Sequence, residues 1–173
     1  MKYKIIKKFL KPDSFEEIKN IIIHKDFPWR RRDHIANDDP FILIAAGYFS
    51  YGFYNNMDSN SELYRPHIVP ILQKLGASAP IDVRANMSIS ELFKKSGWHR
   101  DHDFKCTTAI LYLNDCDGGT ELKINNKIIF IKADANKMII FDTAILHRGT
   151  TSTNEPLRYI INFNYLTKEN YEK

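Results

Sequence analysis

With 173 residues, 43% of them hydrophobic and 13% aromatic, the chain is long enough to bury one substantial core and too apolar to be disordered. Its 25 basic and 21 acidic side chains leave a formal charge of +4, crowded at Lys2, Lys4, Lys7, Lys8 and Lys11 and in Arg30, Arg31 and Arg32. Such runs are ordinarily solvated faces, and no aromatic-interleaved motif makes nucleic acid a favoured partner. Two cysteines, Cys106 and Cys116, form no disulfide framework, and no apolar run reaches membrane-spanning or signal-peptide character. The expectation is one soluble domain over residues 1–173 in a reducing compartment, the cytoplasm, with reduced structural cysteines and no membrane partner.

Residues 2–9 mix Tyr3, Ile5, Ile6 and Phe9 with lysines and predict a short edge strand whose charges discourage further pairing. A helix is predicted from Pro12, with Asp13 or Ser14 as its cap and Phe15, Ile18, Ile21 and Ile22 at helical spacing. The polar stretch 29–40 reads as a loop. The apolar run 41–49, continued by Tyr51, Phe53 and Tyr54, predicts a buried strand, and 55–61 a turn. Leu63, Ile68, Ile71, Leu72 and Leu75 predict a helical segment that Pro66 and Pro70 keep from being one straight helix.

From Ile81 the pattern changes to short strands, at 81–89, 107–113, 121–124, 127–131, 138–141, 145–149 and 158–166. A strong turn signal covers 114–119, and Asn125-Asn126 reads as a hairpin. Strands at intervals of about 8–12 residues predict a sandwich or barrel. Residues 1–80 then serve as helical and strand support for a β core at 81–166.

The chemistry gathers around Trp98-His99-Arg100-Asp101-His102-Asp103. On an extended segment, His99 and Asp101 leave the same face. His147 offers a third ligand, and two histidines with one carboxylate form the facial triad used for non-haem Fe(II). His102 is a competing ligand, disfavoured because adjacent strand residues face opposite ways. Arg158 opens an apolar strand and requires an anionic partner there, for which its fork suits a carboxylate. If Arg158 points inward, so do Ile160, Asn162 and Asn164, and on the strand 107–113 Tyr112 shares its face with Thr108 and Ile110. Trp98 reads better as a core aromatic than as a wall of the metal site. His24, His34 and His67 have no ligand-like partners.

The order His99-Arg100-Asp101, then Leu111-Tyr112-Leu113-Asn114 with Gly118-Gly119, then His147, then Arg158 resembles the Fe(II)/2-oxoglutarate-dependent dioxygenases. Within them it is most similar to the prolyl-hydroxylase-like group and to small members carried by marine phages, over about residues 84–165. The resemblance implies a mainly β fold with supporting helices, a double-stranded β-helix or jelly-roll barrel. It implies that His99, Asp101 and His147 ligate Fe(II), that Arg158 anchors the distal carboxylate of 2-oxoglutarate, and that Tyr112 donates to the same group. These four, His99, Asp101, His147 and Arg158, are the expected catalytic set. Asn162, Thr108 and Asn86 are further candidates for cosubstrate contact, each equally readable as a satisfied or surface group, and Arg84 for cosubstrate or substrate.

The implied reaction consumes O2 and 2-oxoglutarate, releases succinate and CO2, and hydroxylates a substrate, with ascorbate admitted as a reductant. A peptidyl residue such as proline, or a small molecule, is the favoured substrate, in the host cell's cytoplasm if the gene is phage-borne. Substrate contacts are expected on 29–40, 87–97 and 125–126; no motif specifies the substrate or an oligomeric state. Two rivals stand beside this reading: a non-catalytic jelly-roll module using the ligands as a metal clip, and a nucleic-acid demethylase of the same superfamily. A clip has no use for Arg158, and the absence of a cation between Arg158 and Lys168 disfavours the demethylase.

Overall fold

A computed structural model describes residues 3–32, 48–90 and 95–168. In chain order these form β1 (Tyr3–Ile6), α1 (Pro12–Ile23), β2 (Arg30–Arg31), β3 (Tyr48–Asn55), β4 (Asp58–Ser59), a π-helical turn (Tyr64–Ile68) and α2 (Val69–Leu75). Then come β5 (Ala79–Ile89), β6 (Thr107–Tyr112), β7 (Gly119–Ile124), β8 (Lys127–Lys132), β9 (Met138–Asp142), β10 (His147–Thr150) and β11 (Leu157–Leu166). The larger sheet has the order β1-β9-β6-β11-β5-β3-β2, with β4 hairpinned onto β3, and the smaller one the order β10-β7-β8. All the pairings are antiparallel.

Strand alternation divides the larger sheet into two faces with different cores. Phe53, Val83, Ala85, Ala109, Leu111, Ile161 and Phe163 pack outward against Phe15, Ile18 and Ile22 of α1 and Ile71 and Leu72 of α2. Ile110, Tyr112, Ile139, Phe141 and Ile160 point inward and pack against Leu122 and Ile131 of the smaller sheet. Each such fully buried aliphatic or aromatic side chain contributes roughly 1.5–3 kcal/mol. The inward parity expected for Ile160 and Ile110 is the one observed. It places Arg158 and Asn162 on the face toward the smaller sheet.

Local chemistry sets the connections. Pro12 occupies the first turn of α1, where a missing N–H costs nothing. Gly76 ends α2 in the left-handed region at φ 71°. Asn125 and Asn126, at φ 50° and 60°, make the tight β7–β8 turn. Gly119 starts β7 where a Cβ would fall 2.1 Å from the Ile131 carbonyl oxygen, so any side chain there would separate β7 from β8.

Several expectations need correction. The two sheets face each other without closing into a barrel. The cap of α1 is Lys11, with no side-chain hydrogen bond, because Pro12 already begins the helix and leaves Asp13 and Ser14 inside it. Arg30 and Arg31, expected in a loop, pair with Ser50 and Phe49 as an edge strand. The stretch 55–61 holds β4 as well as a turn. The strand support expected from residues 1–80 takes the form of β1 and β3, which hydrogen-bond directly into the larger sheet. The strand expected at 81–89 is present as β5, so the stretch 87–97 expected to carry substrate contacts begins inside the sheet. The expectations for 33–47, including His34 and the first part of the apolar run, lie outside the described residues.

Candidate metal and cosubstrate site

The two histidines meet because their backbones pair. His99 N–H donates to His147 O, and His147 N–H to His99 O, both at 3.0 Å. A second bridge joins Lys95 to Thr150, so segment 95–99 runs antiparallel to β10. Directly opposed residues leave the same face of such a pair, and the two imidazole centroids lie 4.4 Å apart. Asp101 Oδ1 sits 3.7 Å from His99 Nε2 and 3.6 Å from His147 Nε2. Two donors each about 2.1 Å from one ion can be at most about 4.2 Å apart, and both separations meet that limit. Strand parity alone does not account for the closeness of His99 and Asp101. The backbone bends at Asp101, and Asn162 Nδ2 donates to Asp101 Oδ2 at 3.1 Å.

The ring protons are also assigned by the fold. His99 Nδ1 lies 3.0 Å from Gly97 O, and His147 Nδ1 lies 3.3 Å from Ile145 O. A carbonyl only accepts, so each Nδ1 carries the hydrogen and each Nε2 turns a lone pair toward Asp101. Metal-bound histidines are commonly oriented this way. Burial pushes His147 down to about 4, His99 acting in the same direction and Asp101 against it, so the ring is neutral at pH 7. Burial alone would raise Asp101, yet His147, the Asn162 amide, His99 and Arg84 together hold it below the usual carboxylate range. A neutral imidazole and an ionised carboxylate are the forms that bind a divalent ion. Among the described residues, this is the group of three or more such side chains with that geometry.

The cluster opens into a cavity of about 250 Å³, lined also by Tyr48, Arg84, Asn86 and Arg158. Arg158 is 5% exposed, and its Nε and Nη1 are buried with no hydrogen-bond partner. No carboxylate among the described residues pairs with it, although an uncompensated buried charge costs several kcal/mol. Its slot depends on a missing side chain: a Cβ on Gly149 would fall 2.7 Å from Arg158 Nη2. Behind β10, Glu121 accepts from Lys95 Nζ at 2.8 Å and Arg148 Nε at 2.7 Å, and Arg148 covers the Trp98 ring at 4.2 Å. This network fastens the His99 segment. It also corrects Trp98, which is neither a core aromatic nor a cavity wall but the platform under Arg148.

The other expected residues divide. Asn162 and Asn86 line the cavity, each with its Oδ1 buried and unpaired. Tyr112 is set one layer back, its hydroxyl donating to Thr120 Oγ1 at 2.8 Å, and it is Thr120 that lines the cavity. Thr108 does not reach the cavity: its hydroxyl donates to Asn164 Oδ1 at 2.9 Å and lies 2.8 Å from Thr143 Oγ1. His102 is outside the cluster, its ring 5.1 Å from that of Phe104. His24 is exposed, and His67 sits 4.0 Å from Glu17. Tyr48 was missed. Burial pushes its hydroxyl up to about 12, with Arg84 and Arg158 opposing, so it is a proton donor at neutral pH. Its signal was its pairing with Ser88, the register neighbour of Arg158, which parity on a single strand does not reveal.

Comparison with known proteins agrees with this geometry. Residues 87–166 match the family described as the 2OG-Fe(II) oxygenase superfamily, whereas no curated protein matches the sequence. Among solved structures, the chain is similar to a prolyl hydroxylase from Trichoplax adhaerens in complex with a hypoxia-inducible-factor oxygen-degradation-domain peptide. Identity is 14% and the TM-score 0.69, over 97% of this chain and 84% of that one. It is similar to the viral collagen prolyl hydroxylase of Paramecium bursaria Chlorella virus-1, with 16% identity, a TM-score of 0.58 and 97% of each chain covered. The epimerase SnoN, solved with Fe3+, α-ketoglutarate and nogalamycin RO, matches at 10% identity and a TM-score of 0.65, over 95% of this chain and 78% of that one. These likenesses establish a shared double-stranded β-helix fold, and no helix among the described residues is long and apolar enough to cross a membrane. Residues 87–166, which contain the two histidines, Asp101 and Arg158, match the 2OG-Fe(II) oxygenase superfamily over a little under half of the chain, and together with the His-Asp-His cluster this match supports an oxidoreductase that uses Fe(II), 2-oxoglutarate and O2.

Proposed function

We propose that the chain is a 2-oxoglutarate-dependent hydroxylase in which His99, Asp101 and His147 hold Fe(II), Arg158 holds the distal carboxylate of 2-oxoglutarate, and a peptidyl side chain such as proline is the substrate. The observation that carries this reading is the buried, unpaired Arg158 guanidinium in the same cavity as the metal-ligand cluster. An unpaired buried cation is costly until an anion joins it, and its Nε and Nη1 are free donors for charge-assisted hydrogen bonds to a carboxylate. When bound, Fe(II) and 2-oxoglutarate supply O2 activation coupled to decarboxylation, yielding succinate, CO2 and a hydroxylated carbon.

The chain's own groups bind, orient and exclude. Gly97 O and Ile145 O lock the ligand tautomers, and Asn162 aims Asp101. Tyr48, held protonated, offers a hydrogen bond to an anion near Arg158. Ile110 and Ile160 present apolar surface that keeps water from the reacting centre. Peptide hydroxylation is favoured by the likeness to two prolyl hydroxylases, one of them in complex with a peptide. The whole chain 1–173 is proposed as the catalytic unit, since strands from its first 80 residues complete the sheet that carries Arg158.

The direct test is an anaerobic titration of the protein with Fe(II) and 2-oxoglutarate, watching for the visible charge-transfer band, followed by a succinate assay over proline-containing peptides. A band and 2-oxoglutarate-dependent succinate release are expected. Absence of the band in correctly folded protein ends the proposal.

A further inference from the structure

Arg84 is left over once the cosubstrate has been assigned. It lies on β5 in the cavity wall, in register with Asn162, the residue that holds Asp101. It is therefore placed beside the metal cluster, four register rows from Arg158, whose own row is Ser88 and Tyr48. Asp82, two residues earlier on the same face, binds Arg84 Nη2 at 2.5 Å and orients the guanidinium. Arg84 Nε is buried and has no partner.

The charge balance around it points the same way. Fe(II) and doubly ionised 2-oxoglutarate cancel one another. Among the described lining residues, Arg84, Arg100 and Arg158 then face Asp101 alone, and Asp82 behind Arg84 still leaves an excess of one positive charge. Arg100 is tied through its Nε to Ala144 O at 2.8 Å and points its charge at the cavity rim. Farther out, Arg32 reaches Ser50 on β3, whose register partner is the cavity residue Asn86. A cavity with low-dielectric walls and one sign of excess charge draws in ligands of the opposite sign.

We propose that Arg84 is the substrate-side anchor of this site and that the oxidised substrate carries a carboxylate, which Arg84 binds through its free Nε while Asp82 holds its Nη2. The inference rests on the hydroxylase reading above and narrows its substrate class. The carboxylate has two sources, an acidic residue in a peptide or the α-carboxylate of a free amino acid, and both present the same chemistry to the guanidinium. Asn86 Oδ1 and Asn162 Oδ1, buried and unpaired beside Arg84, are acceptors that 2-oxoglutarate has no hydrogen to satisfy. An amide N–H or an ammonium group of such a substrate supplies that hydrogen.

The test uses the anaerobic complex with Fe(II) and saturating 2-oxoglutarate. It is titrated with two matched pairs: Ac-Pro-Glu-NH2 against Ac-Pro-Gln-NH2, and L-proline against L-prolinamide. In at least one pair the carboxylate member is expected to perturb the visible band at a concentration at least about tenfold lower than its amide, as one charge-assisted contact requires. Arg84→Gln should remove that advantage while still forming the band, and Arg84→Lys should restore part of it. A response from the peptide pair identifies an acidic peptide, and from the amino-acid pair a free acid. No carboxylate preference in either pair, or a preference unchanged in Arg84→Gln, overturns the inference. Loss of the band in the unmodified protein is the separate signature that the hydroxylase reading itself has failed.

Discussion

Two polar patches share the inner face of the larger sheet and are built to opposite ends. Around Thr108, the hydroxyl donates to Asn164 Oδ1 and meets Thr143 Oγ1, which in turn lies 3.0 Å from Cys106 Sγ. Only Asn164 Nδ2 is left over there. A few residues away, Arg158 Nε and Nη1, Asn162 Oδ1, Asn86 Oδ1 and Arg84 Nε are buried with no partner at all. Native proteins rarely tolerate such a concentration of unmet polar atoms. The first patch closes on itself and stabilises the fold, whereas the second leaves its donors and acceptors open toward the cavity. Unmet hydrogen bonding separates site from scaffold here better than polarity or burial does.

The contrast is broken most severely at the metal cluster. On the proposed assignment, Asp101→Ala removes the carboxylate of the cluster, and succinate release is expected to fall by at least about 10³-fold with the charge-transfer band lost, since two imidazoles alone leave the ion one donor short. Retention of full turnover in that variant would falsify the ligand assignment. Arg158→Met is expected to cut 2-oxoglutarate affinity by about 100-fold or more, the worth of two hydrogen bonds to charge. It should also stabilise the ligand-free protein by about 1–3 kcal/mol, because an apolar side chain replaces an unpaired buried cation. Thermal melts with and without 2-oxoglutarate measure both effects. A destabilised ligand-free variant with unchanged affinity would mean that Arg158 belongs with the Thr108 patch.

How much of this was readable from the residues follows from what kind of information each feature carries. Alternation along β11 placed Arg158, Ile160 and Asn162 on one face, because a strand's period is a local property. The convergence of His99, Asp101 and His147 was also legible, from the order of the motifs taken together, each of which is weak alone. Alternation is blind to what lies opposite, however. Thr108 and Asn162 had equal standing on parity, and only the arrangement across strands shows that Thr108 is satisfied and that Asn162 faces the cavity. For the same reason Tyr112 was named and Tyr48 was not: the local motif marked one, while the cavity is reached by the other through pairing of β3 with β5. Arg30 and Arg31 gave no strand signal, since an exposed two-residue edge strand has no apolar period to read.

A milder perturbation separates the guanidinium's position from its charge. In Gly149→Ala, the new methyl group falls 2.7 Å from Arg158 Nη2 and must push it aside. The KM for 2-oxoglutarate is expected to rise by about tenfold, with Fe(II) affinity unchanged, because displacement by about 1 Å misaligns a two-point contact without removing its charge. An unchanged KM would show that the guanidinium has room to move and that the slot is not what orients it.

The smallest effect on chemistry should come from the closed patch. Thr108→Val keeps the shape of the side chain and removes its hydroxyl, leaving Asn164 Oδ1 without a donor at a position that is 0% exposed. An acceptor stranded in this way costs about 1–3 kcal/mol, and at about 2–4 °C per kcal/mol for a chain of this size the melting temperature should fall by about 2–12 °C. Binding of Fe(II) and 2-oxoglutarate should stay within about twofold, because the hydroxyl touches neither the cavity nor Asp101. The two patches thus predict opposite pairs of outcomes: Arg158→Met stabilises and disables, whereas Thr108→Val destabilises and leaves ligand binding intact. A Thr108→Val protein that folds as well as the parent and binds 2-oxoglutarate poorly would place that hydroxyl in the site and erase the distinction between the patches.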